Sequence, residues 1–173
     1  MKARRILLVD DEPIIVRTLS KALELTGLKV TVAQDGDRAL ALVEGKPSFD
    51  VVITDLTLEG ADGMEVLRRA KERDPETGVI VITGYAAESS ALDALRFGAE
   101  DYLAKPFDYS ELLLRVSRCL ERRELARKVR TYERLLGICR RCGRISQGAE
   151  AGLLPEDAAA GRPSPPEACP GCR

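Results

Sequence analysis

Four apolar runs in this chain each end on residues able to do chemistry, and they do so in a fixed order. Ile6-Leu7-Leu8-Val9 runs into Asp10-Asp11, and Val51-Val52-Ile53-Thr54 into Asp55. Val79-Ile80-Val81-Ile82 runs into Thr83-Gly84, and Asp101-Tyr102-Leu103-Ala104 into Lys105-Pro106. Helical patterns alternate with these runs, which predicts βαβ units and a parallel sheet. In an open parallel sheet, ligands and reacting groups collect outside the carboxyl ends of the strands. The four ends would therefore meet in one pocket holding three carboxylates, a hydroxyl and an ammonium. Carboxylate oxygens at that density suit a hard divalent cation such as Mg²⁺, and the added lysine and threonine suit a phosphoryl group. The chemistry indicated is phosphorylation of an aspartate, with Mg²⁺ neutralising charge.

The helical segments are readable from apolar spacing and punctuation. Ile15, Leu19, Ala22 and Leu23 recur at helical intervals behind Pro13, a residue suited to a helix start, and Gly27 ends the pattern. Val30-Thr31-Val32-Ala33 makes a short second strand. Asp35-Gly36 precedes a helix with Ala39, Leu40 and Val43. Gly63 turns the chain into a helix with Met64, Leu67 and Ala70, closed by Pro75, and Ala91, Leu92 and Leu95 mark a fourth. Five strands and five helices then predict an α/β fold, a doubly wound five-stranded parallel sheet in the flavodoxin-like order 2-1-3-4-5.

Residues 4 to about 120 resemble the receiver domain of two-component response regulators, the CheY-like fold. The motifs that carry the resemblance are Leu8-Val9-Asp10-Asp11-Glu12-Pro13, Val52-Ile53-Thr54-Asp55-Leu56, Val81-Ile82-Thr83-Gly84-Tyr85 and Gly98-Ala99-Glu100-Asp101-Tyr102-Leu103-Ala104-Lys105-Pro106-Phe107. Each is weak alone; all four in order, each after a strand, are specific. One departure from the family is Glu59, which stands where members usually carry a proline four residues after the acceptor.

The resemblance implies a set of roles. Asp55 is the nucleophile that takes a phosphoryl group from a phosphohistidine on a sensor histidine kinase, forming an acyl phosphate. Asp10, Asp11 and Asp55, with the carbonyl of Thr57, hold Mg²⁺, which reverses the repulsion of clustered carboxylates toward phosphate. Lys105 pairs with the phosphoryl oxygens as a point charge, and Thr83 donates its hydroxyl to them. Gly84 leaves room for the donor, and Thr57 and Tyr85 flank the path of attacking water. Tyr102 is the switch aromatic, turning inward as Thr83 moves toward the phosphate. Such a chain is not a conventional enzyme; it catalyses its own phosphorylation and dephosphorylation, and its output is contact with a downstream protein.

Charge separates the chain into parts. Residues 1–117 carry 15 basic and 21 acidic side chains, a net −6, whereas residues 118–144 carry 10 basic and 3 acidic, a net +7. Histidine is absent, which excludes a histidine phosphocarrier and any His-containing metal site in this sequence. No run of about 18 apolar residues marks a membrane span. The first residues lack the apolar stretch of a secretory signal, so a cytoplasmic setting with reduced cysteines is expected.

The fifth helix runs past the point where one domain needs it to stop. Leu112, Leu113, Val116 and Leu120 are spaced to pack on the sheet, and neither glycine nor proline follows until Gly137. Leu125, Val129, Tyr132 and Leu136 continue at intervals of four, three and four, a heptad-like seam offset in phase from the first stretch. A homodimer through helix 112–136 would bury that seam; folding back on the domain is the alternative. Beyond it, Cys139-x-x-Cys142 and Cys169-x-x-Cys172, 26 residues apart, could complete a tetrahedral Zn²⁺ site, although the spacer exceeds the usual length. Cys119, at core spacing, is read as a small packing residue. Residues 146–168, rich in Ala, Gly and Pro, cannot bury enough surface to order themselves. The organisation expected is a receiver over 1–120, a helical extension over 121–137 with coiled-coil potential, and a Cys-rich tail over 138–173, a zinc knuckle with a flexible loop.

Two other function classes compete. The basic helix and zinc knuckle would serve a nucleic-acid-binding regulator, but aromatic interleaving is missing and a solvated helical face accounts for the charge. An aspartate phosphatase would want an Asp-x-Asp pair, whereas Asp55 is followed by Leu56-Thr57.

Overall fold

The computed structural model describes residues 4–45, 47–84 and 88–135. Its elements are β1 (Arg5–Val9), α1 (Pro13–Leu25), β2 (Lys29–Ala33), α2 (Gly36–Glu44), β3 (Val51–Asp55), α3 (Gly63–Arg73), β4 (Gly78–Thr83), α4 (Glu88–Arg96), β5 (Asp101–Ala104) and α5 (Tyr109–Leu135). The sheet runs β2-β1-β3-β4-β5 with every neighbouring pair parallel, the order read from the sequence.

Side chains alternate across the strands, and each face of the sheet builds its own core. Leu7, Val9, Val52, Val79 and Val81 pack with Val43 of α2, Val66 and Leu67 of α3, and Ala94 of α4. Ile6, Leu8, Ile53, Ile80 and Ile82 pack with Leu19 and Leu23 of α1 and with Leu112, Val116, Cys119 and Leu120 of α5. Burial on both faces explains why the central strands are continuously apolar instead of alternating.

Local chemistry starts the helices. Pro13 lies at the first turn of α1. The Asp35 side chain accepts from the Arg38 N–H at the start of α2, and Asp62 from the Glu65 N–H at 2.8 Å at the start of α3. Asp108 accepts from the Ser110 N–H at 2.7 Å as α5 begins.

Two glycines are required by close approach of backbones. A Cβ on Gly63 would lie 1.9 Å from the Asp55 carbonyl oxygen, and one on Gly36 would lie 1.7 Å from the Ala61 carbonyl oxygen. The loop after β3 is thus clamped between the first turns of α2 and α3. Glu59, in place of the family's usual proline, offers its carbonyl to the Gly36 N–H at 2.9 Å.

The chain divides into a compact unit through Glu124 and a second from Leu125. In the first, α5 turns Leu112, Val116, Cys119 and Leu120 inward. In the second, Leu125, Val129, Tyr132 and Leu135 of the same helix are exposed. No described helix is long and apolar enough to cross a membrane.

Candidate phosphoryl-acceptor site

The carboxyl ends of β1, β3, β4 and β5 converge as the strand pattern predicts. Asp55 and Thr83 are the last residues of β3 and β4, and Asp10 and Lys105 directly follow β1 and β5. Asp10, Asp55 and Thr83 are all buried, Thr83 completely. The Lys105 N–H donates to the Thr83 carbonyl at 2.8 Å, which ties the ends of the fourth and fifth strands together, and the Lys105–Pro106 peptide is cis.

Lys105 is the hub. Its Nζ donates to Asp55 Oδ2 at 2.7 Å, Glu12 Oε1 at 2.8 Å and Asp10 Oδ2 at 2.9 Å. Burial opposes the ammonium charge, but the hydrogen bonds to Asp55, Glu12 and Asp10 outweigh it, so its pKa rises above the ordinary lysine value. Asp10 moves the other way. Burial raises its pKa, and the bonds from Lys105 and from the Glu12 N–H at 2.9 Å only partly offset the cost of keeping it charged. The other oxygen of Asp55, Oδ1, accepts the Thr57 N–H at 2.9 Å. Both oxygens of the proposed nucleophile are thus oriented by hydrogen bonds.

The residues fit a hard divalent cation. Ligand oxygens of Asp10, Glu12 and Asp55 all lie within 4.8 Å of one another, facing one ammonium. The surplus of negative charge and the all-oxygen donor set are those that Mg²⁺ takes. Glu12 is the member of this group that the spacing did not single out. Asp11, expected as a direct ligand, is exposed and stands outside the group. Thr57 contributes its N–H to Asp55.

Tyr102 is half-buried and packs against the core on the α2–α4 side of the sheet, paired across the strands with Val81. Among the described residues, a Cβ on Gly84 would meet nothing within 4 Å. Cys119 is buried against Gly78, and burial pushes its thiol pKa upward, as suits a packing residue. Tyr85, Leu136 and Cys139, Cys142, Cys169 and Cys172 lie outside the described residues.

A second set of charges lies at the opposite edge of the sheet. Arg123 of α5 donates to Asp50 Oδ1 at 3.1 Å and to Asp74 Oδ2 at 2.7 Å. Nearby, Lys71 and Arg122 approach Glu100 at 4.0 and 3.7 Å, and Glu124 pairs with Arg4.

Comparison with known proteins agrees with this geometry. The response regulator receiver domain family matches residues 6–117. The C4-dicarboxylate transport transcriptional regulatory protein DctD of Pseudomonas aeruginosa is 42% identical over 127 residues. That alignment covers 73% of this chain and 27% of DctD, so the chain spans about a quarter of that relative's length. A CheY-like receiver domain protein from Methanospirillum hungatei superposes with a TM-score of 0.69 at 30% identity, covering 72% of this chain and 99% of that one. A response regulator from Burkholderia pseudomallei, solved with a phosphorylated aspartic acid and a calcium ion, gives a TM-score of 0.60 at 33% identity, over 64% of each chain. Fold order, converging strand ends and sequence all agree: the chain belongs to the response regulator receiver domain family of two-component systems.

Proposed function

We propose that Asp55 is the phosphoryl acceptor of this receiver and that a sensor histidine kinase is the donor. The observation that carries the reading is the position of Asp55, buried at the end of β3 with one carboxylate oxygen on the Thr57 N–H and the other on Lys105. Asp55 attacks phosphorus, the phosphorus–nitrogen bond of the donor phosphohistidine breaks, and the imidazole leaves with the bonding pair and takes up a proton. Lys105, already between the carboxylates, follows the charge onto the phosphoryl oxygens, and the Thr83 hydroxyl donates to a third. Asp10, Glu12 and Asp55 would hold Mg²⁺, with Asp11 at the rim; the cation supplies charge neutralisation for the transferring group. The phosphorylated aspartate in the Burkholderia pseudomallei regulator supports the same chemistry here.

The output is protein–protein contact, with Thr83 and Tyr102 as the switch pair, in the cytoplasm. Receiver over 1–120, extension over 121–137 and tail over 138–173 remain the organisation we favour. The extension serves homodimerisation, supported by the exposed stripe at Leu125, Val129 and Tyr132. Cys139, Cys142, Cys169 and Cys172 would take one structural Zn²⁺, supported by their paired spacing alone. Asp55→Asn tests the central step: it should lower phosphoryl uptake from acetyl phosphate to background while leaving thermal unfolding cooperative. Uptake at the wild-type level would refute Asp55 as acceptor.

A further inference from the structure

The Lys105 ammonium has three N–H donors, and a different carboxylate takes each of them: Asp55 at 2.7 Å, Glu12 at 2.8 Å and Asp10 at 2.9 Å. Pairing with a phosphoryl oxygen therefore requires one of these bonds to break. The three are not equally costly to lose. The Asp10 and Asp55 side chains are 2% and 7% exposed, so either would be left as a poorly solvated charge. The Glu12 side chain is 58% exposed, and water replaces its bond at little cost. Glu12 is the N-cap of α1, yet its side chain makes no capping bond there. It crosses instead to a lysine 93 residues away in sequence. Its backbone is held on both sides, the N–H on Asp10 Oδ1 at 2.9 Å and the carbonyl accepting from the Val16 N–H at 3.0 Å. A fixed backbone with one exposed, charged arm on the ammonium makes an exchangeable contact. The anionic arm takes up the donor that an anionic phosphoryl oxygen needs.

We infer that Glu12 is a positioning residue that competes with the phosphoryl group for Lys105 and so restrains anion binding at Asp55 until its own bond is exchanged. This rests on the acceptor reading of Asp55 above and names the group that regulates that site. The test is the affinity of the full chain for beryllium fluoride, which mimics a phosphoryl group on a carboxylate, read by fluorine NMR at saturating Mg²⁺. Phosphoryl uptake from acetyl phosphate by the wild type is measured alongside. Glu12→Gln keeps the length of the side chain and removes its charge. It should bind the mimic about fivefold more tightly than wild type, the upper end for an exposed ion pair. Loss of a metal ligand would weaken binding and so cannot produce this gain. Glu12→Asp keeps the charge but is one methylene shorter, and aspartate favours the N-cap bond that Glu12 forgoes. It should also bind more tightly, by about twofold or more. Affinity at or below the wild-type level in Glu12→Gln would overturn the inference. A gain in Glu12→Gln with none in Glu12→Asp would overturn it too, because net charge alone would then account for the effect. Both results leave Asp55 standing as acceptor. A wild-type chain that binds no beryllium fluoride and takes up no phosphoryl group would overturn the acceptor reading and this inference together.

Discussion

The two edges of the sheet carry charge in opposite ways. At the amino edge, three cations meet three carboxylates: Arg123 spans Asp50 and Asp74, and Lys71 and Arg122 approach Glu100. At the carboxyl edge, three carboxylates share the single ammonium of Lys105. The first set is balanced and holds α5 against the strands. The second is left with surplus negative charge beside two buried carboxylates, Asp10 and Asp55, which costs stability unless a cation binds. An uncompensated cluster is what a site for metal and phosphate requires, and a compensated one is what a scaffold requires.

The backbone that supports the carboxyl edge gives the largest expected effect on stability. Gly63→Ala drives a Cβ into the Asp55 carbonyl and should cost about 3 kcal/mol in denaturant unfolding, the upper range for overpacking. A cost under about 1 kcal/mol would mean that the loop after β3 is not clamped. Next is the amino edge. Arg123→Ala removes the cation shared by Asp50 and Asp74, which keep the Arg5 and Glu76 N–H groups and are partly solvated, so the buried-pair cost is discounted for screening to about 2 kcal/mol. Phosphoryl uptake per folded molecule should not change, and a parallel loss of uptake would break the division between the two edges.

The smallest effect has the opposite sign. Asp10→Asn removes a buried charge whose pKa is raised by desolvation. Without divalent cation at neutral pH the variant should be more stable than wild type by about 1 kcal/mol. A raised carboxylate pKa means that the folded state binds the proton more tightly than the unfolded state. The penalty is therefore present in full above the folded-state pKa. It fades as pH falls through that value and is gone below the unfolded value of 3.8. The two proteins should converge in stability at acid pH, and Mg²⁺ should stabilise only the wild type. Urea unfolding across pH checks each point.

The sequence already placed Asp10, Asp55, Thr83 and Lys105 at one edge, because a strand end is a one-dimensional feature and parallel topology turns it into a three-dimensional one. It did not separate Asp11 from Glu12. Spacing identifies which strand end a carboxylate belongs to; which of three consecutive acids reaches Lys105 depends on side-chain direction after the strand stops. Gly63 was read as a turn into a helix, and its closer constraint, the carbonyl of Asp55, lies eight residues away in sequence. Arg123 was read as part of a solvated basic face. Its partners Asp50 and Asp74 lie 73 and 49 residues away, and no local pattern reports them.

The most direct measurement is to locate the acyl phosphate itself. The wild-type chain, phosphorylated by acetyl phosphate with Mg²⁺, is reduced with borohydride, which converts a phosphorylated aspartate to homoserine, and the peptides are sequenced by mass spectrometry. Homoserine at position 55 is the predicted result. Reduction at position 10 or 11, or no modified carboxylate at all, would contradict the assignment of the carboxyl edge as a phosphoryl-acceptor site centred on Asp55.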